Sequence, residues 1–112
     1  MEPVINFTII IITHNREAFL KKLLEQIREQ EEHVKIIIVH NSHREFQETS
    51  LNTPNDHNIK IIQQKFPTPA AARNNALSHC ESDWVLFLDD DIEIPENYFQ
   101  KSKELLNSYK LE

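Results

Sequence analysis

Three consecutive carboxylates, Asp89-Asp90-Asp91, stand directly after the apolar run Trp84 to Leu88. Adjacent carboxylates repel one another, and no cation neighbours them in sequence. Such a cluster is unfavourable unless a metal ion or strong hydrogen-bond donors face it. Oxygen-only ligands suit hard ions such as Mg²⁺ or Mn²⁺. A magnesium site commonly takes one or two carboxylates and completes its shell with substrate phosphates and water. In extended chain the first and third residues share a side. Asp89 and Asp91 could then divide the work, one holding a metal and the other accepting from a sugar or ribose hydroxyl. An isolated acidic pair at a strand end is ordinarily a solvated loop; a triple Asp at the ligand edge of a sheet favours a site.

That edge follows from the elements. Phe7 to Ile12, Val34 to Val39, Ile59 to Gln63 and Trp84 to Leu88 are short, mostly apolar and largely β-branched runs, as expected for strands buried on both faces. Between them lie helical patterns. Leu20, Leu23, Leu24 and Ile27 fall at i, i+3, i+4 and i+7 within a helix expected from Arg16 to Gln30. Thr68-Pro69 is a strong helix start, and the pattern continues to His79. Pro95 is expected to open a last helix through Tyr109, with Tyr98, Leu105, Leu106 and Tyr109 along one stripe. A short helix is expected around Arg44 to Thr49. Strands alternating with helices predict an α/β fold with an open, mostly parallel sheet and helices on both faces. Ligands of such sheets bind beyond the carboxyl ends of the strands, where strand order reverses. Here those ends carry Thr13-His14-Asn15-Arg16, His40-Asn41-Ser42 and Asp89-Asp90-Asp91.

Composition excludes several alternatives. The 112 residues suffice for one domain, spanning 1–112. Net charge is −6 with Lys and Arg scattered, which speaks against nucleic acid as a partner, since a phosphate backbone wants a basic face. There is no glycine. A phosphate-cradling P-loop and a dinucleotide-binding turn both need glycine where backbone approaches phosphate, so neither is present. This removes an ATPase reading of the Val85-Leu86-Phe87-Leu88-Asp89-Asp90 strand. A receiver-like signalling domain would place paired acids after the first strand, where Thr13-His14 stands. The apolar run Phe7 to Ile12 is too short to span a bilayer, which needs about 20 residues, and it lacks the flanks of a signal peptide. A single cysteine, Cys80, suits a reducing compartment. The expected location is the cytoplasm, free or at the inner face of the membrane.

Other reactive residue types have bland readings. His40 with His43, and His79 with Cys80, lack further ligands at zinc-site spacing. Cys80 has no base placed to activate it and reads as packing. Asn15 and Asn41 could be loop residues that tolerate unusual dihedrals. Leu105, Leu106 and Tyr109 read as core, or as a stripe facing a partner in self-association.

Four blocks together resemble a known family: Ile10-Ile11-Ile12-Thr13-His14-Asn15-Arg16, Ile36-Ile37-Ile38-Val39-His40-Asn41-Ser42, Ala71-Ala72-Arg73-Asn74-Asn75-Ala76, and Trp84 to Asp91 with Pro95. In order and spacing they are similar to the inverting, GT-A-fold glycosyltransferases of family 2, from about Phe7 to Phe99. The resemblance implies a Rossmann-like, nucleotide-diphospho-sugar transferase type of fold. It implies binding of a nucleoside-diphosphate sugar through Mn²⁺ or Mg²⁺, and hexosyl transfer to a glycan or lipid acceptor. Thr13, His14, Asn15 and Arg16 would border the nucleotide, with His40 and Asn41 alongside. Arg73 would help organise the acidic site. Asp89, Asp90 and Asp91 cover the Asp-x-Asp motif, with Asp91 on the metal.

Three departures qualify what is implied. The second block usually ends in an Asp that binds the base, and His40 stands there. The loop before the Ala-Arg-Asn block usually holds glycine, where this chain has Pro67-Thr68-Pro69. Family members continue into an acceptor-binding half that supplies the catalytic base, and none is visible here; Glu93 and Glu96 read as exposed residues at a helix start. The expectation is a donor domain lacking its acceptor half, completed elsewhere in a longer chain or by a second subunit. The alternative is a non-catalytic sugar-nucleotide-binding or interaction module.

Overall fold

The structure is a computed structural model that describes residues 6–43 and 56–108. Strands β1 (Phe7–Thr13), β2 (Lys35–His40), β3 (Ile59–Gln63) and β4 (Trp84–Asp89) alternate with helices α1 (Glu17–Gln30), α2 (Pro69–Leu77) and α3 (Tyr98–Ser108). The four strands form one sheet in the order β3-β2-β1-β4, and every pairing is parallel. The chain therefore moves outward from β1 to β3, then returns to the other side of β1 for β4. The reversal of strand order falls between β1 and β4, the place where an open α/β sheet binds its ligands.

Alternation along each strand sorts the core into two layers. Ile9, Ile11, Ile36, Ile38 and Leu88 face one side, packed with Leu20, Leu23, Leu24 and Ile27 of α1 and Phe99 of α3. Ile10, Ile37 and Val39 face the other side, against Phe66 and Ala72 and Ala76 of α2. Helices thus cover both faces, as expected. Each fully buried Leu or Ile stabilises the fold by about 1.5–3 kcal/mol relative to exposure. The small alanines let α2 approach the sheet closely.

The helix boundaries carry local explanations. Thr68 caps α2: its Oγ1 accepts a hydrogen bond from the Ala71 amide at 3.1 Å, and Pro69 occupies the first turn. Thr68→Ala should lower stability by about 1 kcal/mol in urea unfolding, with no change in the secondary-structure spectrum beyond the transition region. α2 ends at Leu77, two residues short of the expected end. α1 begins at Glu17 rather than Arg16, whose backbone is not helical.

The last helix corrects its expected start. It begins at Tyr98, three residues beyond Pro95, because Asn97 adopts a left-handed conformation with φ 60°. Glu93 and Glu96 therefore precede the helix instead of occupying its first turn; Glu93 pairs with Lys22 on α1 at 3.0 Å. In a chain without glycine, asparagine supplies this backbone freedom. The expected helix around residues 44–49 and the side chain of Tyr109 lie outside the described residues.

β4 is an edge strand. Phe87 is exposed and Trp84, Val85 and Leu86 are only partly buried. Leu105 of α3 is 58% exposed, whereas Leu106 is partly buried and Tyr98 packs against the core, so of the expected stripe Leu105 is the described member open to solvent. An apolar groove of about 270 Å³ runs between β4 and α3, lined by Phe7, Trp84, Leu86, Tyr98, Leu105 and Leu106. No helix among the described residues is long and apolar enough to cross a membrane.

Candidate functional site at the carboxyl edge of the sheet

The sheet register aligns Gln63, His40 and Thr13 in one cross-strand row at the carboxyl ends of β3, β2 and β1. Ile12 pairs with Asp89, so Asp90 continues the row one step past β4. Strand alternation puts this row on the α1 side of the sheet, immediately beyond the partly buried Ile61 and the buried Ile38 and Ile11. A polar row thus follows an apolar one; its members Thr13, His40 and Asp90 are buried and must find partners, while Gln63 at its end is exposed.

They do so in two groups. Thr13 Oγ1 donates to Asp90 Oδ2 at 2.9 Å, with Thr13 2% and Asp90 7% exposed. His40 is fully buried, and its Nδ1 donates to Gln63 Oε1 at 2.7 Å. The Gln63 amide nitrogen donates to the Ser42 carbonyl at 3.0 Å, which fixes which end of the amide faces the imidazole.

Each group grips one residue of the loop that follows β1. Asn15 Oδ1 lies 3.2 Å from His40 Nε2, and Asn15 has φ 55°. The sequence reading of Asn15 as a residue tolerating unusual dihedrals therefore describes its backbone. Arg16 Nη1 reaches Asp90 Oδ1 at 3.3 Å and Asp91 Oδ2 at 3.4 Å. His14 is tied at the outer side of the loop, its Nδ1 donating to the Asn41 carbonyl at 2.8 Å. Glu17 opens α1 directly behind, with Oε1 4.0 Å from His40 Nε2.

The three acids have different surroundings. Asp90 is buried and engaged by Thr13 and Arg16. Asp91 is half exposed, and Asp89 is exposed on the side opposite the row. Asp91 and Asp89 are thus the carboxylates turned to solvent at the point of strand-order reversal, Asp91 beside the Arg16 cation. They supply hard oxygen donors of the kind Mg²⁺ or Mn²⁺ takes. Among the described residues no three His, Cys, Asp or Glu side chains gather as a metal-holding group, so other ligands would have to come from a bound diphosphate and water.

Two expected site residues make no hydrogen bond to the acids among the described residues. Arg73 lies exposed on α2 and makes no hydrogen bond or ion pair among the described residues; the cation that meets the acids is Arg16. Asn41 is 8% exposed, and its Oδ1 accepts from the Phe66 amide at 2.6 Å, which pins the chain between β3 and α2. Sequence reading missed Gln63 and the Thr13–Asp90 bond. A polar residue one strand period after Ile61 was the available signal for Gln63.

A profile of glycosyl transferase family 2 matches residues 8–110, nearly the whole chain. The chain belongs to this family. Glycosyltransferase GlyA of Streptococcus pneumoniae serotype 4 is 28% identical over 112 aligned positions, covering 92% of this chain and 15% of that protein. The fold matches the crystal structure of S. aureus TarS 1-349 with TM-score 0.76 and 24% identity, over 92% of this chain and 32% of that one. A second TarS structure matches with TM-score 0.77 and 23% identity, again over 92% of this chain and 20% of that one. The chain spans well under a third of GlyA, and about a third or less of each TarS chain. The open parallel sheet with helices on both faces is therefore a fold that this chain shares with those structures, and the polar row sits at its carboxyl edge.

Proposed function

We propose that this domain binds a nucleoside-diphosphate sugar at the cleft between the ends of β1 and β4, through Mg²⁺ or Mn²⁺. The observation that carries the reading is the pair of solvent-facing carboxylates Asp89 and Asp91, the latter beside Arg16, at the point where strand order reverses. The proposed activity is hexosyl transfer to a glycan or lipid acceptor with inversion at the sugar. Asp91 would hold the ion together with the diphosphate, and Asp89 would accept from a sugar or ribose hydroxyl. When bound, the ion neutralises charge on the departing nucleoside diphosphate. Arg16 already stands within reach of Asp91, and its guanidinium adds positive charge where that leaving group develops negative charge. His14 and Asn15 border the nucleotide. Inversion also requires a carboxylate to deprotonate the acceptor hydroxyl. Glu93, paired with Lys22 at the surface, does not stand with the acidic row. That base would come from polypeptide beyond these residues or from a second subunit, and the open β4–α3 side is the face against which such a body would pack.

Calorimetric titration with UDP, GDP and their sugars, with and without Mn²⁺, tests this directly. Saturable binding that requires Mn²⁺ is expected for at least one nucleotide. Folded protein that binds none of them would refute the donor reading. Binding without transfer or hydrolysis would identify the chain as a sugar-nucleotide-binding module in isolation.

A further inference from the structure

We propose that His40 is a positioning residue for the loop His14–Arg16 and takes no part in reading the nucleobase. The inference rests on the donor reading for its ligand, but its geometry is independent of it. An imidazole offers two polar atoms. In His40 both are turned inward, Nδ1 to Gln63 and Nε2 to Asn15, and the ring is fully buried. A base edge could reach this ring only by displacing Asn15 or Gln63. A carboxylate at the same position would lack the N–H that Gln63 Oε1 accepts.

What the ring does instead follows from Asn15. A left-handed asparagine is less favourable than an ordinary conformation and persists where its surroundings hold it. His40 Nε2 lies 3.2 Å from Asn15 Oδ1 and holds that side chain when both ring nitrogens carry a proton, since Nδ1 already donates to Gln63, and Asn15 Nδ2 lies 3.3 Å from His14 Nε2. The constraint then passes to the next residue. Chain direction leaving Asn15 carries Arg16 to Asp90 and Asp91. Gln63, His40 and Asn15 therefore form a buried-to-surface linkage from β3 to the loop that presents His14 and Arg16. Recognition of the base is left to the exposed His14 and Asn15, and His40 acts on every donor alike.

The test uses affinities of UDP, GDP and CDP in Mn²⁺ for the wild-type chain, His40→Asn and Gln63→Ala. His40→Asn should weaken all three by a similar factor, about tenfold, as expected when a supporting hydrogen bond behind a binding group is lost. Gln63→Ala, at an exposed residue, should give a smaller loss of the same uniform pattern, and it replaces His40→Asn if that variant fails to fold. Asn15→Gly should weaken binding in the wild-type background and have little further effect beside His40→Asn, because glycine reaches positive φ without a Cβ clash and the two residues act as one unit. A loss confined to one nucleotide would overturn the proposal, since it would place His40 on the base. Unchanged affinity in both His40→Asn and Gln63→Ala would overturn it equally. If the wild-type chain binds no nucleotide, the donor reading fails while this one is still decided by NMR. The Arg16 Nε resonance and the Asn15 backbone coupling should both shift in His40→Asn, and constancy of both would refute the positioning role.

Discussion

Asp91→Ala is expected to abolish the Mn²⁺ dependence of UDP binding, weakening the affinity in Mn²⁺ on the order of a hundredfold, or about 2.7 kcal/mol. Calorimetric titration at matched ionic strength reads this directly. The same substitution should change folding stability by less than about 0.5 kcal/mol. Asp91 is half exposed, and its contact with Arg16 at 3.4 Å joins two side chains that are each 51% exposed. Solvent screens such a pair, and removing one of three adjacent acids also relieves repulsion. Large loss of metal-dependent binding with intact stability is the signature of a residue that works on the ligand. Retention of the Mn²⁺ effect in Asp91→Ala would refute the metal role of Asp91 and move it to Asp89 or another ligand.

Asp90→Ala should behave in the opposite way. Its carboxylate is buried and accepts from Thr13 Oγ1, itself 2% exposed, while also facing Arg16. Truncation leaves the Thr13 hydroxyl without its acceptor and releases the guanidinium from its inner anchor. A destabilisation of about 2 kcal/mol is expected, the size of leaving a buried donor unsatisfied. In urea unfolding this should lower the midpoint with the slope unchanged. Nucleotide binding should weaken with and without Mn²⁺, because Arg16 loses its orientation. Asp90→Asn keeps an oxygen for Thr13 but loses the charge facing Arg16, so its loss of stability should be smaller. A neutral Asp90→Ala would show that the buried bond contributes nothing net, and that Arg16 is positioned by other contacts.

These two neighbours show how far the residues alone could be read. The triple Asp pointed to the sheet's carboxyl edge, and the Asp-x-Asp spacing set Asp89 and Asp91 on one side in extended chain; in the structure Asp90 is the buried member, while Asp91, in the turn, meets the same Arg16 as Asp90. Spacing could not tell what Asp90 would meet. Its partner Thr13 lies 77 residues away, and that pairing exists because β4 adds beside β1 in one register. The Arg73 expectation shows the same limit. An arginine in a characteristic block was expected to organise the acids, yet the strand-order reversal brings Arg16 to them.

The sequence by itself determined the kinds and order of the elements, because hydrophobic period distinguishes fully buried strands from one-faced helices. It also determined that polar chemistry gathers at the carboxyl ends, and that asparagine must serve where glycine is absent. The four blocks reported the family and its open parallel sheet. The tertiary structure decided which strands are neighbours, hence the row Gln63, His40, Thr13 and Asp90. It turned His40 inward, left Leu105 of α3 exposed, and delayed α3 to Tyr98. Periodicity along a strand assigns each residue a face but carries no register between strands. A buried polar side chain finds its partner across the sheet, so the acidic cluster's meaning was fixed by what packs beside it.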